Sequence, residues 1–371
     1  MELNRAALVS ALGKLKPAVG TKTGQAVFTW LLMAPGPHGL TLRTCSEHLS
    51  VEIEIAATDP IAEPVAVVYQ AFADAVGAMS DATLVLDVVG TALVLAAQHA
   101  EVELETVSAD QFPDPPRMPS ARDITTMGRD VWIDQLTMIS PAMAKDGTRP
   151  MLATLMVGQY ATAASDGFRA HVSGGAYGSR VPVPRGPYGD HVLLPPPMVG
   201  ALMAALKGAA DTDFTLRAGE FWAAMTIGSA TISGRLMHGS FPQLDRVIEP
   251  LAAATPRATI NIGAMLEALK IALALRSELA VVRLKLEGNH LTLSAKPATG
   301  SSRAMARVTV AGADGADWQI AVNGAYLRDA LNAMKIIGTT CQLIVIDGRT
   351  PLGLNNGSMW VAVMPMTVGA T

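Results

Sequence analysis

The chain has 371 residues, 50% of them hydrophobic and 16% charged, with a formal net charge of −4. That length exceeds what one hydrophobic core usually serves, so two or three domains are expected, and the apolar content excludes global disorder. No uninterrupted apolar run reaches the ~18 residues of a membrane span, and Glu2, Arg5 and Lys14 interrupt anything like a secretory leader, so a soluble, cytoplasmic chain without a membrane partner is expected.

Leu8, Leu12 and Leu15 fall on one face of a first amphipathic helix. Val51, Ile53 and Ile55 alternate with Glu52 and Glu54, which is strand patterning. A second helix spans Phe72 to Met79, and two strands bracket Gly90, from Leu84 to Val88 and from Leu93 to Leu95. Pro113, Pro115, Pro116 and Pro119 then close a first unit. Trp132, Leu136 and Ile139 open the next with another helix, and Val199 to Leu206 supplies its second. Between these lie two expected loops, a glycine-rich run from Ser173 to Gly178 and a proline-rich stretch from Pro182 to Pro197.

Pro250 and Pro256 flank the second junction. Met265, Leu269 and Ala272 form the next helical face; Val282, Leu284 and Leu286 pair with Leu291 and Leu293 about a turn at Gly288 and Asn289; Leu327 to Met334 is the last helix. The steps from Phe72 to Val199 and from Val199 to Leu327 are 127 and 128 residues, so the chain reads as one plan used three times. The expected domains are 1–119, 120–250 and 251–371, each α+β with two helices packed on antiparallel sheet.

Signals for chemistry are few. There is no GxxxxGK[ST] phosphate loop and no HExxH, and the seven histidines show no i, i+4 pairing, so neither a metal nor a cofactor is expected. Cys45 and Cys341 read as buried free thiols. Ser165 with His171 would suit a hydrolase, which stands as a distant alternative to a chain that catalyses nothing; the simpler reading is a strand ending in the turn Ser165, Asp166, Gly167.

Several ordered segments nevertheless carry a resemblance. Ala109 to Pro113 is similar to an acidic-aromatic-proline signature with one extra residue. Thr148, Arg149 and Pro150, then Ser165 to Arg169, are similar to TRP and TDGHR elements. Phe241 to Val247 resembles FPDYxRV. Val322, Asn323, Tyr326, Leu327, Asp329, Ala330 and Leu331 resemble FNxxYLxDAL, and Val363 to Met366 resembles VMPMR. Together these resemble the bacterial DNA polymerase III beta subunit, the beta sliding clamp family.

The resemblance implies three DNA-clamp domains per subunit and two subunits joined head to tail in a ring that holds double-stranded DNA by topology, without reading sequence. It implies a processivity factor that tethers the DNA polymerase catalytic subunit and is opened by an ATP-dependent clamp loader; a divergent homologue serving a phage replisome or a repair polymerase is the alternative. By position, Lys22, Arg149, Asn323 and Tyr326 correspond to DNA-binding residues. Pro196 and Pro197 replace usual basic residues, leaving Lys14, Lys16 and Lys335 to supply part of the lumen charge. The implied partner-peptide pocket comprises Leu152, Ser165, Gly167, Phe168, Arg169, Ala170, Pro242, Arg246, Val247, Val363, Met364, Pro365 and Met366. Phe168 stands for the usual histidine and Thr367 for the usual arginine, which implies a shifted peptide preference. A homodimer is expected through exposed sheet edges, with Val102 and Leu104 on one side and Leu273 on the other.

Overall fold

A computed structural model describes residues 1–20, 24–59, 61–174, 191–275, 280–297, 302–313 and 317–367. Within them one short plan, a strand, a helix and three more strands, occurs six times. The first copy is β1 (Glu2–Asn4), α1 (Arg5–Leu15), β2 (Trp30–Gly36), β3 (Gly39–Cys45) and β4 (Leu49–Ala56); the second is β5 (Val65–Val68), α2 (Tyr69–Ala78), β6 (Thr83–Val89), β7 (Ala92–Ala96) and β8 (Glu101–Glu105). The third is β9 (Arg122–Gly128), α3 (Arg129–Ile139), β10 (Leu155–Gly158), β11 (Ala161–Ser165) and β12 (Arg169–Gly174); the fourth is β13 (His191–Leu194), α4 (Pro196–Leu206), β14 (Asp213–Ala218), β15 (Trp222–Ile227) and β16 (Ala230–Arg235). After a further helix, α5 (Asp245–Ala253), the fifth is β17 (Ala258–Asn261), α6 (Ile262–Leu273), β18 (Val281–Glu287), β19 (His290–Ala295) and β20 (Ala304–Thr309). The sixth is β21 (Trp318–Asn323), α7 (Gly324–Ile337), β22 (Thr340–Ile344), β23 (Leu352–Asn355) and β24 (Met359–Val363).

The first strand of each copy joins the sheet of its neighbour. In one compact unit, Met1–Arg129 with Leu194–Met237, the sheet orders are β1-β6-β7-β8 and β5-β2-β3-β4-β16-β15-β14-β9. In the other, Asp130–Leu193 with His238–Thr371, they are β13-β10-β11-β12-β24-β23-β22-β17 and β20-β19-β18-β21. The pairings among strands β1–β12 and β14–β24 are all antiparallel.

Local chemistry repeats with the plan. Three helices start on an asparagine that ends a strand: Asn4 accepts from Ala7 N–H at 3.0 Å, Asn261 from Ala264 N–H at 2.9 Å, and Asn323 from Ala325 and Tyr326 N–H at 2.9 and 3.2 Å. Three hairpins turn on a glycine of positive φ, Gly90 at 61°, Gly228 at 61° and Gly288 at 55°. Leu8, Leu12 and Leu15 on α1, Trp132, Leu136 and Ile139 on α3, and Met265, Leu269 and Ala272 on α6 are all buried, as their spacing requires.

Two expectations need correction, at Pro196 and Pro197 and at Ser173 and Gly174. Pro196 and Pro197 begin α4 and are not loop residues, because proline lacks only an N–H that the first helical turn leaves unbonded anyway. Pro250 lies inside α5, where burial of Ile248 and Leu251 holds the helix despite the lost main-chain bond. Ser173 and Gly174 end β12, with Gln135 Nε2 donating to Ser173 Oγ and Gly174 O, both at 3.0 Å. The remainder of both expected loops, 175–190, lies outside the described residues.

Replacing Asn261 by Ala is expected to lower unfolding stability by about 1 kcal/mol, whereas Asn261→Asp keeps the cap and stays near wild type; denaturant titration measures both.

Candidate functional site

The turn from β11 to β12 is built by its own side chains. Ser165 Oγ donates to Arg169 O at 2.8 Å and accepts Gly167 N–H at 3.1 Å, while Asp166 Oδ1 accepts Phe168 and Arg169 N–H at 2.9 and 3.0 Å. Gly167 has φ +89°, so a side chain there would be strained as well as crowded by the Arg149 guanidinium. The turn therefore projects Phe168, 55% exposed, outward.

Arg169 is the anchor beneath it. Its side chain is 4% exposed. Nε donates to Asp166 Oδ2 at 3.1 Å, Nη1 to Asp329 Oδ2 of α7 at 2.6 Å, and Nη2 to Pro141 O. The guanidinium also lies 4.3 Å from the Tyr326 ring centroid. Burial, and then the Asp166 carboxylate, raise the Tyr326 phenol above its ordinary pKa. Arg149 caps the outer side: Nη2 donates to Asp166 O at 2.9 Å and its guanidinium lies 5.8 Å from the Phe168 ring. A cavity of about 460 Å³ opens between this turn and α7, lined by Lys145, Arg149, Phe168, Tyr326 and Arg328 among others.

The ladder between β12 and β24 sets Arg169 opposite Val363 and Ala170 opposite Ala362. Met364 N–H continues it, donating to Phe168 O at 2.8 Å; Pro365 then bridges to Val322, and Met366 N–H donates to Ala321 O at 2.7 Å. Helix α5, with Arg246 and Val247 in its first turns, lies against β24, and Leu152 sits on a short helical turn beside β11. Apart from Pro242, in the loop before α5, the residues assigned to a partner pocket thus occupy segments that adjoin β11, β12 and β24. Leu152, Ser165, Arg169, Ala170 and Val363 are buried and hold the shape, whereas Phe168, Arg246 and Met364 are exposed.

The four residues assigned to DNA divide differently. Arg149 and Tyr326 line the same cavity beside the turn. Asn323 caps α7 with its side-chain oxygen, and Lys22 lies outside the described residues. A second groove, of about 740 Å³, runs between α6 and α7 and brings Lys270, Arg328 and Lys335 together with Glu267. Of these cations only Lys335 drew notice in the sequence; Lys270 and Arg328 gain meaning once the two helices pack, and a basic stripe spaced along both helices was the available signal. Leu273, expected at a subunit interface, lies at the end of α6, where it is buried and packs so closely on Gly324 that a Cβ there would come within 2.8 Å of Leu273 Cδ2. Ile271, Leu275 and Met305 are exposed in that part of the same unit.

The hydrolase alternative is overturned. Ala164 pairs with His171 and Ser165 with Ala170, so the Ser165 and His171 side chains point to opposite faces of the sheet. His171 is fully buried, with Nδ1 2.8 Å from Met138 O, and Ser165 Oγ is spent on its own turn. Burial, the largest cause, depresses the His171 pKa from 6.5 to about 4.

Two sequence models of one family match this chain: the DNA polymerase III beta subunit N-terminal domain over residues 1–116 and its C-terminal domain over residues 252–366. Among solved structures, the DNA polymerase III subunit beta of Pseudomonas aeruginosa is similar over 99% of both chains, with a TM-score of 0.86 and 21% identity. The Bacillus subtilis DNA polymerase sliding clamp is similar over 99% of this chain and 98% of its own, at TM-score 0.85 and 17% identity. The beta subunit from DNA polymerase of Streptococcus pyogenes has the same TM-score and identity, over 99% of both chains.

A histidine whose folded pKa lies below its unfolded one gives stability that is complete above pH 6.5 and is lost as pH falls toward 4. The wild-type chain is expected to lose roughly 3 kcal/mol across that window relative to His171→Gln; chemical denaturation at stepped pH compares them, and parallel curves would contradict the assignment.

Proposed function

We propose that this chain, which belongs to the DNA polymerase III beta subunit family, acts by enclosing duplex DNA in a closed ring of two copies joined head to tail, each copy contributing three domains bounded near residues 119 and 250. As a DNA sliding clamp it is a non-catalytic processivity subunit, and its partners include DNA and a polymerase. Held by topology, it needs only weak, sequence-blind phosphate contacts. Lys270, Arg328 and Lys335 in the α6–α7 groove suit that purpose, with Lys14 and Lys16 at the end of α1 in the other unit. Asn323 contributes by starting α7, and Arg149 and Tyr326 by flanking the partner site.

The observation that carries the partner-binding part is the ladder from β12 into Met364 to Met366, which sets an exposed aromatic and an exposed methionine side by side above the buried Arg169. Apolar anchors of a polymerase tail fit such a surface, and methionine adapts to partners of different shape. With Phe168 where the family usually has histidine, the surface favours a more apolar anchor. Opening of the ring falls to an ATP-dependent loader, and the working compartment is the cytoplasm.

Deleting Met364 to Thr371 is expected to weaken binding of a polymerase tail peptide by at least about a hundredfold while leaving self-association intact; fluorescence anisotropy with a labelled peptide measures it, and unchanged affinity would refute the site.

A further inference from the structure

The cavity beside the β11–β12 turn carries more positive charge than its own acids use. Lys145, Arg149 and Arg328 are exposed in its lining. Among the described residues Lys145 and Arg149 make no ion pair, and Arg328 comes no closer than 3.9 Å to Asp329. The three acids of the lining are already engaged. Asp166 holds Arg169 Nε and two main-chain N–H groups, and Asp329 Oδ2 holds Arg169 Nη1 at 2.6 Å. Asp146 Oδ1 accepts the Thr148 hydroxyl and N–H at 2.7 and 3.3 Å. Arg169, with two carboxylates and a carbonyl around a buried guanidinium, is satisfied; the surplus belongs to the other three cations.

The cavity also shares a wall with the apolar surface. Phe168 lines it and is hydrogen-bonded through its carbonyl to Met364 N–H, so the exposed ring stands between the cavity and Met364. The Arg149 guanidinium lies 5.8 Å from that ring. A tail whose apolar residue rests on Phe168 and Met364 therefore carries its neighbouring residues to the mouth of the cavity. We infer that the cavity takes an acidic side chain of the partner's tail, beside its apolar anchor, with Lys145, Arg149 and Arg328 as the counter-charges. This deepens the partner site proposed above and rests on it.

One carboxylate suits the site better than a run of phosphates. The planar guanidinium of an arginine matches a carboxylate edge-on with two parallel hydrogen bonds, and Arg149 and Arg328 each supply one. A nucleic-acid strand would bring several charges, and the exposed Asp146 carboxylate in the same lining repels them. Its bonds from Thr148 hold that carboxyl below its ordinary pKa, so it keeps its charge. Exposed ion pairs are individually weak; selectivity comes from three cations sharing one anion next to an anchor that excludes water.

The test uses fluorescence anisotropy on the full chain. Short labelled peptides share two adjacent leucines as the anchor and carry Asp or Asn at one flanking position at a time. At one position the Asp peptide is expected to bind at least about tenfold tighter than its Asn twin at low salt, with the ratio shrinking as salt rises. Lys145→Gln with Arg328→Gln should bring that ratio close to one. Lys145→Glu with Arg328→Glu should make Lys the preferred residue at the same position, which a misfolded chain would not do. If the peptides bind but Asp and Asn twins bind alike at every position, the partner surface stands and the acid site is overturned. If no peptide binds, both fail. If a single-stranded oligonucleotide displaces the peptides and weakens in the double Gln variant while the Asp-to-Asn ratio does not change, the cavity serves nucleic acid and the inference is overturned.

Discussion

The structure depends on an exchange of strands. In each copy of the plan the helix follows the first strand directly, and that strand pairs with the neighbouring copy: β1 with β6, β5 with β2, β9 with β14, β13 with β10, β17 with β22, β21 with β18. Neighbouring copies are thereby tied together through main-chain hydrogen bonds that neither could make alone. The last strands then meet across copies. Sheet edges are rows of unsatisfied polar groups, and two of these meetings, β4 with β16 and β12 with β24, close such edges within the chain.

The candidate partner site uses the same ladders. Because β12 is hydrogen-bonded to β24, a turn near residue 167 and a segment near residue 365 become neighbours, and Arg169 fixes the turn from below through Asp166, Asp329 and Pro141. A buried guanidinium with charged and main-chain partners resists displacement, since losing one partner leaves an uncompensated charge. Phe168 and Met364, which reach the surface beside it, are thereby held in place, and a surface set in advance lowers the ordering cost of binding.

Helices were legible in the sequence wherever apolar residues recur at i, i+4 and i+7, as in α1, α3 and α6, and so were hairpins turning on Gly90 and Gly288. The threefold period was legible, but the halving of each repeat was not: strands such as β5 and β13 are four residues long and give too little alternation to count. Helix α5 was hidden because Pro250 reads as a break, and the start of α4 because Pro196 does, although proline suits a first helical turn. In the site, Ser165 to Arg169 and Val363 to Met366 stood out by resemblance. Asp329 as a partner of Arg169, 160 positions away, needed the fold, as did the recruitment of Lys270 and Arg328 into one groove.

Threading predicts a behaviour that adhesion does not. Loaded by a matched loader onto covalently closed circular DNA, the protein should stay bound through gel filtration at salt high enough to screen its phosphate contacts, and should be lost when the same circle is cut once by a restriction enzyme. Equal retention on circular and linear DNA would contradict the account.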